Sequence, residues 1–380
     1  MLLAGAGFMI RSFLTLYRLD LGIETAHLLT MNLSLPDRKY PTPAARTAFL
    51  ERLDERLGAV RAIRGGTVAS HLPFGSGVLM QLAVEGRPAP AGESPLPVTR
   101  VTVGPRYFET LGLRLLRGRA LDETDVRAGR DVGIVNQRLA SMYFANEDPI
   151  GRRVQVISEP ATDRQPAWIT IVGVSPTVRQ RHLREPDPDP VIYVPYYLTP
   201  VPDMALLIRT DGDPSALTGM LREEVRAVDP DLPLFGIATL DQRLARMRWP
   251  YRVFGSMFSV FAIIALGLSA VGLYAVTAYA VTQRTQEIGV RMALGAQARQ
   301  VWWLMVRRSV MQLGIGLTVG MAGAFGVGRL LQSLLAQTGA TDVVTLVSIA
   351  AVFVMVSIAA CSWPARRATT VDPIHALRHE

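Results

Sequence analysis

Residues 253–283 read VFGSMFSVFAIIALGLSAVGLYAVTAYAVTQ, an apolar run without a charged side chain. A helix needs roughly 20 apolar residues to cross the hydrocarbon core of a bilayer, which is about 30 Å thick. Two further charge-free runs follow it, and each of them ends at an arginine. The three runs predict transmembrane helices at residues 253–281, 309–328 and 343–365. Buried helices of soluble proteins seldom continue this far without a charge, so an integral membrane protein is predicted.

The composition agrees with this class and excludes several chemistries. Apolar residues make up 49% of the 380-residue chain and charged residues 19%, whereas about a quarter is usual in soluble domains. Cys361 is the one cysteine, which excludes an intramolecular disulfide and a cysteine-cluster metal site. Lys39 is the one lysine and lies outside any Gly-x-x-x-x-Gly-Lys-Ser/Thr loop, so the chain is predicted not to hydrolyse ATP itself.

The N-terminal apolar segment is shorter than a span. Residues 1–10, MLLAGAGFMI, precede Arg11, whereas a signal peptide carries its positive charge before the apolar stretch. We expect residues 1–13 to be the outer end of a truncated transmembrane helix. A short interfacial anchor is the alternative.

The placement of arginine predicts the orientation, because cytosolic loops of membrane proteins carry an excess of basic residues. The loop at 282–308 and the tail at 366–380 are rich in arginine, whereas the loop at 329–342 holds one charge of each sign. We therefore place the first two in the cytosol, and the loop at 329–342 and residues 14–250 outside. The net charge of +8 is mostly this cytosolic excess, and no basic patch interleaved with aromatic residues indicates nucleic-acid binding.

Residues 14–250 are predicted to form an α+β domain with two strand–helix–strand units. The predicted elements are strands at 28–35 and 67–70 with a helix at 43–63, and strands at 204–209 and 232–237 with a helix from 213. A strand-rich insertion, about residues 81–195, separates the units. The predicted fold class is an α-helical integral membrane protein with a large α+β extracytoplasmic domain, in which split ferredoxin-like βαβ units hold the insertion.

No catalytic constellation is recognisable. Ser76 lies in a Gly-Ser-Gly turn near His71, but a serine near a histidine is far more often coincidence than a catalytic pair. His375 and His379 lie four residues apart near the C-terminus, where tail histidines are a simpler reading than a metal pair. No catalytic, cofactor-binding or metal-binding residue is predicted, and the chain is expected not to be an enzyme.

One glycine pattern predicts helix packing. Gly316 and Gly320 form a Gly-x-x-x-Gly pattern in the second predicted span, and Gly323 follows at the next turn. Small residues let helix backbones approach closely in lipid. The alternative is the ordinary enrichment of glycine in membrane helices.

Residues 283–308, QRTQEIGVRMALGAQARQVWWLMVRR, form an arginine-rich, amphipathic stretch interrupted by glycines. The pattern predicts a cytosolic elbow that contacts either a partner protein or the lipid surface. The residues alone leave both alternatives open.

From Arg284 to Ala296, the sequence RTQEIGVRMALGA resembles the signature loop of FtsX/MacB-type ABC transporter permeases. The tail from Pro364 to Arg378 is similar to the C-terminus of this family, and residues 135–151 are similar to its MacB-like outer domain. Residues 3–14 resemble the junction before the outer domain of a second half in duplicated members. The resemblance covers essentially the whole chain.

The resemblance implies a bacterial cytoplasmic (inner) membrane permease with an outer domain between its first two helices. It implies that a separate ABC ATPase, which holds ATP and Mg, docks on the cytosolic loop, so that this chain has no cofactor of its own. Movement would pass through the helices to the outer domain, a mechanism called mechanotransmission. The implied coupling residues are Arg284, Glu287, Ile288, Gly289, Arg291, Leu294 and Gly295.

The leading hypothesis is therefore a permease subunit that exports or releases a substrate. We expect a homodimer or a pair with a homologous permease half, in contact with membrane lipid. The alternative is a non-transporting regulator that activates an outer-face hydrolase or signals to a sensor kinase. A tethered outer-face enzyme is a third reading, but no catalytic motif supports it.

Overall fold

The structure, a computed structural model, describes residues 2–19, 21–75, 77–87, 97–122, 124–125, 129–157, 167–181, 187–198, 200–283, 311, 314–326 and 343–369. The chain forms two compact units. We call Leu19–Met247 the α/β unit, and Met1–Arg18 together with Arg248–Glu380 the helical unit.

The α/β unit contains eleven strands and four α-helices among its described residues. The strands are β1 (Leu28–Ser34), β2 (Gly65–Ala69), β3 (Val78–Val84), β4 (Pro97–Val103), β5 (Arg117–Gly118), β6 (Val132–Asn136), β7 (Arg153–Ile157), β8 (Trp168–Ser175), β9 (Val191–Pro195), β10 (Asp203–Arg209) and β11 (Phe235–Thr239). The helices are α2 (Pro43–Ala59), α3 (Tyr107–Thr110), α4 (Gln137–Tyr143) and α5 (Thr218–Val228), with a 3₁₀ helix at Pro214–Leu217.

The two predicted strand–helix–strand units form one layer. Its strands lie in the order β11-β1-β10-β2, and all neighbours are antiparallel. Helices α2 and α5 cover one face, where their apolar residues share a core with β1 and β10. This is the order of a split ferredoxin-like layer, as the sequence predicted.

Local chemistry sets the ends of these elements. The Thr42 side chain caps α2 by accepting a hydrogen bond from the Ala45 N–H, and Pro43 occupies the first turn. Helix α2 ends at Ala59, before the predicted residue 63, because Val60 is already extended. Strand β11 begins three residues later than predicted, because Pro233 has no N–H to donate to a neighbouring strand.

The strands of the insertion form a closed ring. Strands β4, β3, β7, β8, β6 and β9 pair in that order, and β9 returns to pair with β4. The β4–β9 and β6–β8 pairs are parallel, and the others in this ring are antiparallel. Inward-facing residues such as Val98, Val154 and Ile171 fill a core of their own. The ring joins the ferredoxin-like layer where Ala69 pairs with Val103. Beside this pair, the N–H groups of Ser70 and Gly104 donate to the carbonyl oxygens of Thr102 and Val68.

The helical unit contains α1 (Leu2–Arg18), α7 (Gly314–Gly326), α8 (Val343–Thr369) and most of α6 (Leu240–Gln283). Helix α1 continues past residue 13, the predicted end of the first segment. The reason is that Ala4, Phe8, Ser12 and Leu16 form a buried stripe at four-residue spacing, so the whole helix is amphipathic.

Helix α6 carries the first predicted span. Within the described residues, Leu240–Tyr279 is the one helix that is long and apolar enough to cross a membrane, and α7 and α8 contribute shorter apolar stretches. Ile263 and Leu268 are 70% and 69% exposed, so much of the apolar surface of α6 is uncovered. Exposed apolar surface on this scale indicates contact with lipid or with another protein.

Candidate functional site

The seven residues of the predicted coupling surface belong to the loop that follows α6. Arg284, Glu287, Ile288, Gly289, Arg291, Leu294 and Gly295 all lie outside the described residues, as do His375 and His379. Their assignment stays a prediction.

The predicted packing glycines lie on α7. Gly316 and Gly320 line a cleft of about 120 Å³ together with Ala4 and Ala350. A Cβ atom built on Gly316 or Gly320 would meet no atom within 4 Å. Among the described residues these glycines therefore face open space, and their packing role, like that of Gly323, stays a prediction.

A different glycine lies at a close helix contact. A Cβ atom on Gly7 would lie 2.6 Å from Cδ1 of Ile349 and 3.1 Å from Cγ2 of Thr345, both on α8. Nearby, Nη1 of Arg11 donates to Oγ1 of Thr345 at 3.3 Å. Gly7 was not among the glycines singled out from the sequence. The signal that could have identified Gly7 is its place among small residues in an apolar helix.

The segment before β1 is held by a buried arginine. The Arg209 side chain, at the end of β10, donates to the carbonyl oxygens of Thr110, Glu24 and Ala26 at 2.5, 2.8 and 3.3 Å. Its Nη1 also lies 3.3 Å from the Glu24 carboxylate. Burial lowers the pKa of Arg209. The guanidinium thus fixes residues 24–26 to the sheet.

The junction of β11 with α6 has no linker. Thr239 ends the strand, and its Oγ1 accepts from the Gln242 N–H while the Gln242 side chain accepts from the Thr239 N–H, both at 3.2 Å. This reciprocal pair is a capping box, which fixes the first turn of the helix. One turn on, Nε of Arg243 donates to Oγ1 of Thr30 at 2.6 Å, and its Nη2 donates to the Gly236 carbonyl. Thr30 in turn donates to the carbonyl oxygen of Ala238, so β1, β11 and α6 are joined by one hydrogen-bond network.

A cleft of about 640 Å³ lies beside this junction. Its walls come from the start of α6, the loop after β2, and the adjacent ends of β1 and β10. Most of the lining is apolar and includes Leu33, Leu72, Phe74, Met204 and Leu244. Ligand pockets commonly enclose about 300–1,000 Å³ and combine apolar walls with a few polar groups. The cleft has this size and this character.

The loop after β2 forms the wall opposite α6. Phe74 is fully buried in a left-handed backbone conformation, with φ of 65°, and its N–H donates to the Arg179 carbonyl at 3.2 Å. Such a conformation costs about 1–3 kcal/mol in a residue other than glycine and is often found at functional sites. Ser70 anchors the start of the loop, because its Oγ accepts from the Thr102 N–H at 3.0 Å.

His71 lines the cleft and is paired with Ser70, whose Oγ lies 2.8 Å from His71 Nδ1. Ser76, the serine that was noted near His71 in the sequence and set aside as coincidence, lies outside the described residues. Within the described part of the chain no carboxylate is bonded to His71, so the pair lacks the third group of a catalytic triad. No group of three or more metal-ligating side chains is found among the described residues.

The pKa of His71 is lowered from its ordinary value of 6.5, first by burial and then by repulsion from the Arg100 guanidinium. As the pH falls through 6.5, the unfolded chain therefore takes up this proton before the folded chain does. The free energy of unfolding should fall as the pH falls from that value through the lowered value of the fold. We expect His71→Gln to flatten this part of the pH dependence in unfolding measurements. His27→Gln, which changes an exposed histidine, is the control, and an equal effect of the two variants would contradict the assignment.

Lys39, the lysine whose position excludes a Walker A loop, lies in a cluster of hydrogen bonds that joins two segments of the fold. Its Nζ donates to Asp229 at 2.6 Å and to Asp231 at 2.7 Å. Tyr40 donates to the other oxygen of Asp229 at 2.5 Å. These bonds tie the segment after β1 to the segment after α5.

Two families match this chain. Residues 28–228, more than half of the chain, match the MacB-like periplasmic core domain, and residues 259–373 match the FtsX-like permease C-terminal domain. The first match covers the ferredoxin-like layer through α5 and the whole strand ring.

Curated relatives agree with these matches. The chain is 27% identical to the macrolide export ATP-binding/permease protein MacB of Burkholderia lata over 296 residues, which cover 73% of this chain and 40% of that protein. It is 23% identical to the uncharacterized ABC transporter permease YvrN of Bacillus subtilis over 287 residues, which cover 72% and 68% of the two chains. The chain thus spans well under half the length of the MacB relative.

Among solved structures, the periplasmic region of MacB from Actinobacillus actinomycetemcomitans is similar at 19% identity and a TM-score of 0.38. That similarity covers 60% of this chain and 95% of the other.

Proposed function

Because the chain belongs to the family of ABC transporter permeases with a MacB-like periplasmic core domain and an FtsX-like C-terminal domain, we propose that it couples a separate ATPase to movement of its α/β unit. The export or release of a substrate is the purpose of this movement. The α/β unit lies on the outer face of a bacterial inner membrane, and the loop after α6 and the C-terminus lie in the cytosol. The permease works as a dimer, with itself or with a homologous half.

The observation that carries this proposal is the junction of β11 with α6. A helix can move a domain only if their connection transmits force, and here the capping box of Thr239 and Gln242 and the Arg243 network fix the start of α6 to β11 without a linker. This applies to the turns before Pro250, which lies inside α6 and removes a helix hydrogen bond. Arg209 restrains the segment before β1 in the same way. Within the α/β unit, residues 24–26 and the first turn of α6 are thus both tied to the sheet.

ATP hydrolysis belongs to the partner in this proposal. The name of the MacB relative includes ATP binding, but this chain matches 40% of that protein. The sequence of this chain contains no Walker A loop, because its one lysine is Lys39.

The experiment is a charge reversal in the loop after α6. We expect Arg291→Glu to abolish the stimulation of the partner ATPase, because a reversed charge on a coupling surface repels the groups that it should meet. Arg299→Glu makes the same change in the same loop outside the signature sequence and should keep most of the stimulation. ATP turnover of the co-purified complex is the measurement, with membrane insertion of both variants checked first. Full stimulation by Arg291→Glu would refute the coupling role.

A further inference from the structure

Two arginines on the first turns of α6 line the 640 Å³ cleft and have no acidic partner in the part of the chain that the structure describes. Arg243 and Arg246 lie three residues apart, which places them on the same side of the helix. Arg243 donates only to the neutral oxygens of Thr30 and Gly236. Arg246 is exposed and makes no hydrogen bond or ion pair within the described part of the chain. Like charges at this spacing repel each other weakly, so an anion that lies between them would relieve the repulsion.

The surroundings of the cleft add to this positive charge. Arg100 on β4 is close enough to His71 to lower the pKa of the imidazole, and it too has no acidic partner among the described residues. Asp203 is the one acidic residue among the described residues that line the cleft. Its Oδ1 accepts a hydrogen bond from the Ser34 hydroxyl at 2.6 Å. Among the described residues that line the cleft there are thus two arginines and one carboxylate, and Arg100 lies outside the lining.

The remaining walls of the cleft are suited to the apolar part of a ligand. Leu72, Phe74, Met204 and Leu244 line it, and Phe235 remains 47% exposed at its edge. A small inorganic anion would leave the exposed part of Phe235 in water, and an apolar cation would be repelled by the arginines. Only a molecule with both an acidic group and an apolar part satisfies both features.

We propose that this cleft binds an amphipathic anion. Its carboxylate, phosphate or sulfate group contacts Arg246 and the free edge of Arg243, and its apolar part lies along Leu72, Phe74 and Met204. This inference rests on the proposed function, because it makes such molecules the substrate class of the permease.

The test uses the full chain in phosphatidylcholine nanodiscs, without the ATPase. The probe is anilinonaphthalene sulfonate, an amphipathic anion whose fluorescence rises in apolar surroundings, and N-phenylnaphthylamine is its uncharged counterpart. We expect Arg246→Gln to weaken binding of the anionic probe about tenfold, the scale of one charge-assisted hydrogen bond. Arg246→Lys should restore part of the affinity, and binding of the uncharged probe should not change.

Arg222→Gln is the matched control, because Arg222 is an exposed arginine on α5 that does not line the cleft. Equal probe affinity in Arg246→Gln and Arg222→Gln would overturn the proposal. Displacement of the anionic probe by inorganic phosphate at the same concentration as by oleate would overturn its amphipathic part.

Phosphatidylglycerol in the nanodisc distinguishes two sources of the ligand. If it competes with the probe in the unmodified chain and not in Arg246→Gln, the ligand is a membrane lipid. If only soluble oleate competes, the ligand arrives from the aqueous side, and both outcomes support an amphipathic-anion site.

ATP turnover, measured separately with the partner ATPase, distinguishes failure of the proposed coupling from failure of the proposed binding site. Intact probe binding without any ATPase stimulation would refute the proposed coupling and leave the cleft as a binding site. Stimulated ATPase with no effect of Arg246→Gln on the probe would refute the cleft and leave the coupling.

Discussion

Arg209→Leu is expected to lower the free energy of unfolding of the α/β unit by about 2–4 kcal/mol, because a buried donor to several acceptors is lost. The guanidinium is 6% exposed and donates to the carbonyl oxygens of Thr110, Glu24 and Ala26. Leucine fills part of the space but donates to none of them. Thr110 is fully buried, so its carbonyl oxygen cannot turn to water instead.

Amide hydrogen exchange of the full chain measures this effect. Faster exchange is expected in β1 and β10 and in residues 24–27, which Arg209 holds to the sheet. Arg64→Leu is the control, because Arg64 pairs with Asp211 at 3.1 Å while 69% of its side chain is exposed. An exposed pair contributes about 0–1 kcal/mol, so similar losses in the two variants would contradict the role of Arg209.

Gly118→Ala is expected to cost about 3–5 kcal/mol, because alanine meets two penalties at this position. The backbone is left-handed, with φ of 76°, which L side chains rarely adopt. A Cβ atom would also overlap the Val172 carbonyl oxygen and lie 2.8 Å from Cα of Gly173. Both are backbone atoms of β8, so a side-chain rotation cannot relieve the overlap.

Gly86→Ala separates the two penalties. Gly86 has nearly the same φ, 75°, but a Cβ atom there would meet nothing within 4 Å. Only the backbone penalty of about 1–2 kcal/mol applies to it. Thermal unfolding and amide exchange in β8 should therefore respond much more strongly to Gly118→Ala. Equal responses would mean that β5 moves away from β8 at little cost.

The two proposals concern the same small region of the α/β unit. Arg243 joins α6 to β1 and β11, and it also lines the cleft. A ligand held between α6 and the loop after β2 would thus lie against the helix that is proposed to move the unit. Binding and movement would be linked as far as the ligand prefers one position of α6 over another.

Some features of this protein follow from local sequence. Charge-free runs predict apolar helices because a helix in lipid must bury no charge, and α6 and α8 lie where two of these runs predicted them. The two strand–helix–strand units could be predicted from the sequence because apolar periodicities of 2 residues for a strand and 3.6 residues for a helix are local patterns. The late start of β11, at Phe235, could also have been predicted, because Pro233 cannot donate a hydrogen bond to a neighbouring strand.

Other features depend on residues that are far apart in the chain. Nothing local indicates that β4 pairs with β9 across about ninety residues, because parallel pairing and ring closure depend on the register of distant strands. The Gly-x-x-x-Gly pattern singled out Gly316 and Gly320, whereas Gly7 lies tightly against a neighbouring helix. Which glycine is needed depends on which helix lies opposite.

The arginines show this division most clearly. By itself the sequence determined that the chain has 40 basic residues, 39 of them arginine, and that this excludes a Walker A loop and predicts which loops face the cytosol. Only the tertiary structure decided that Arg209 and Arg243 form hydrogen bonds near the two ends of the α/β unit and that Arg246 lies at a cleft without a partner among the described residues. The physical reason is that charge is a property of each residue, whereas burial and hydrogen bonding are properties of what the fold places beside it.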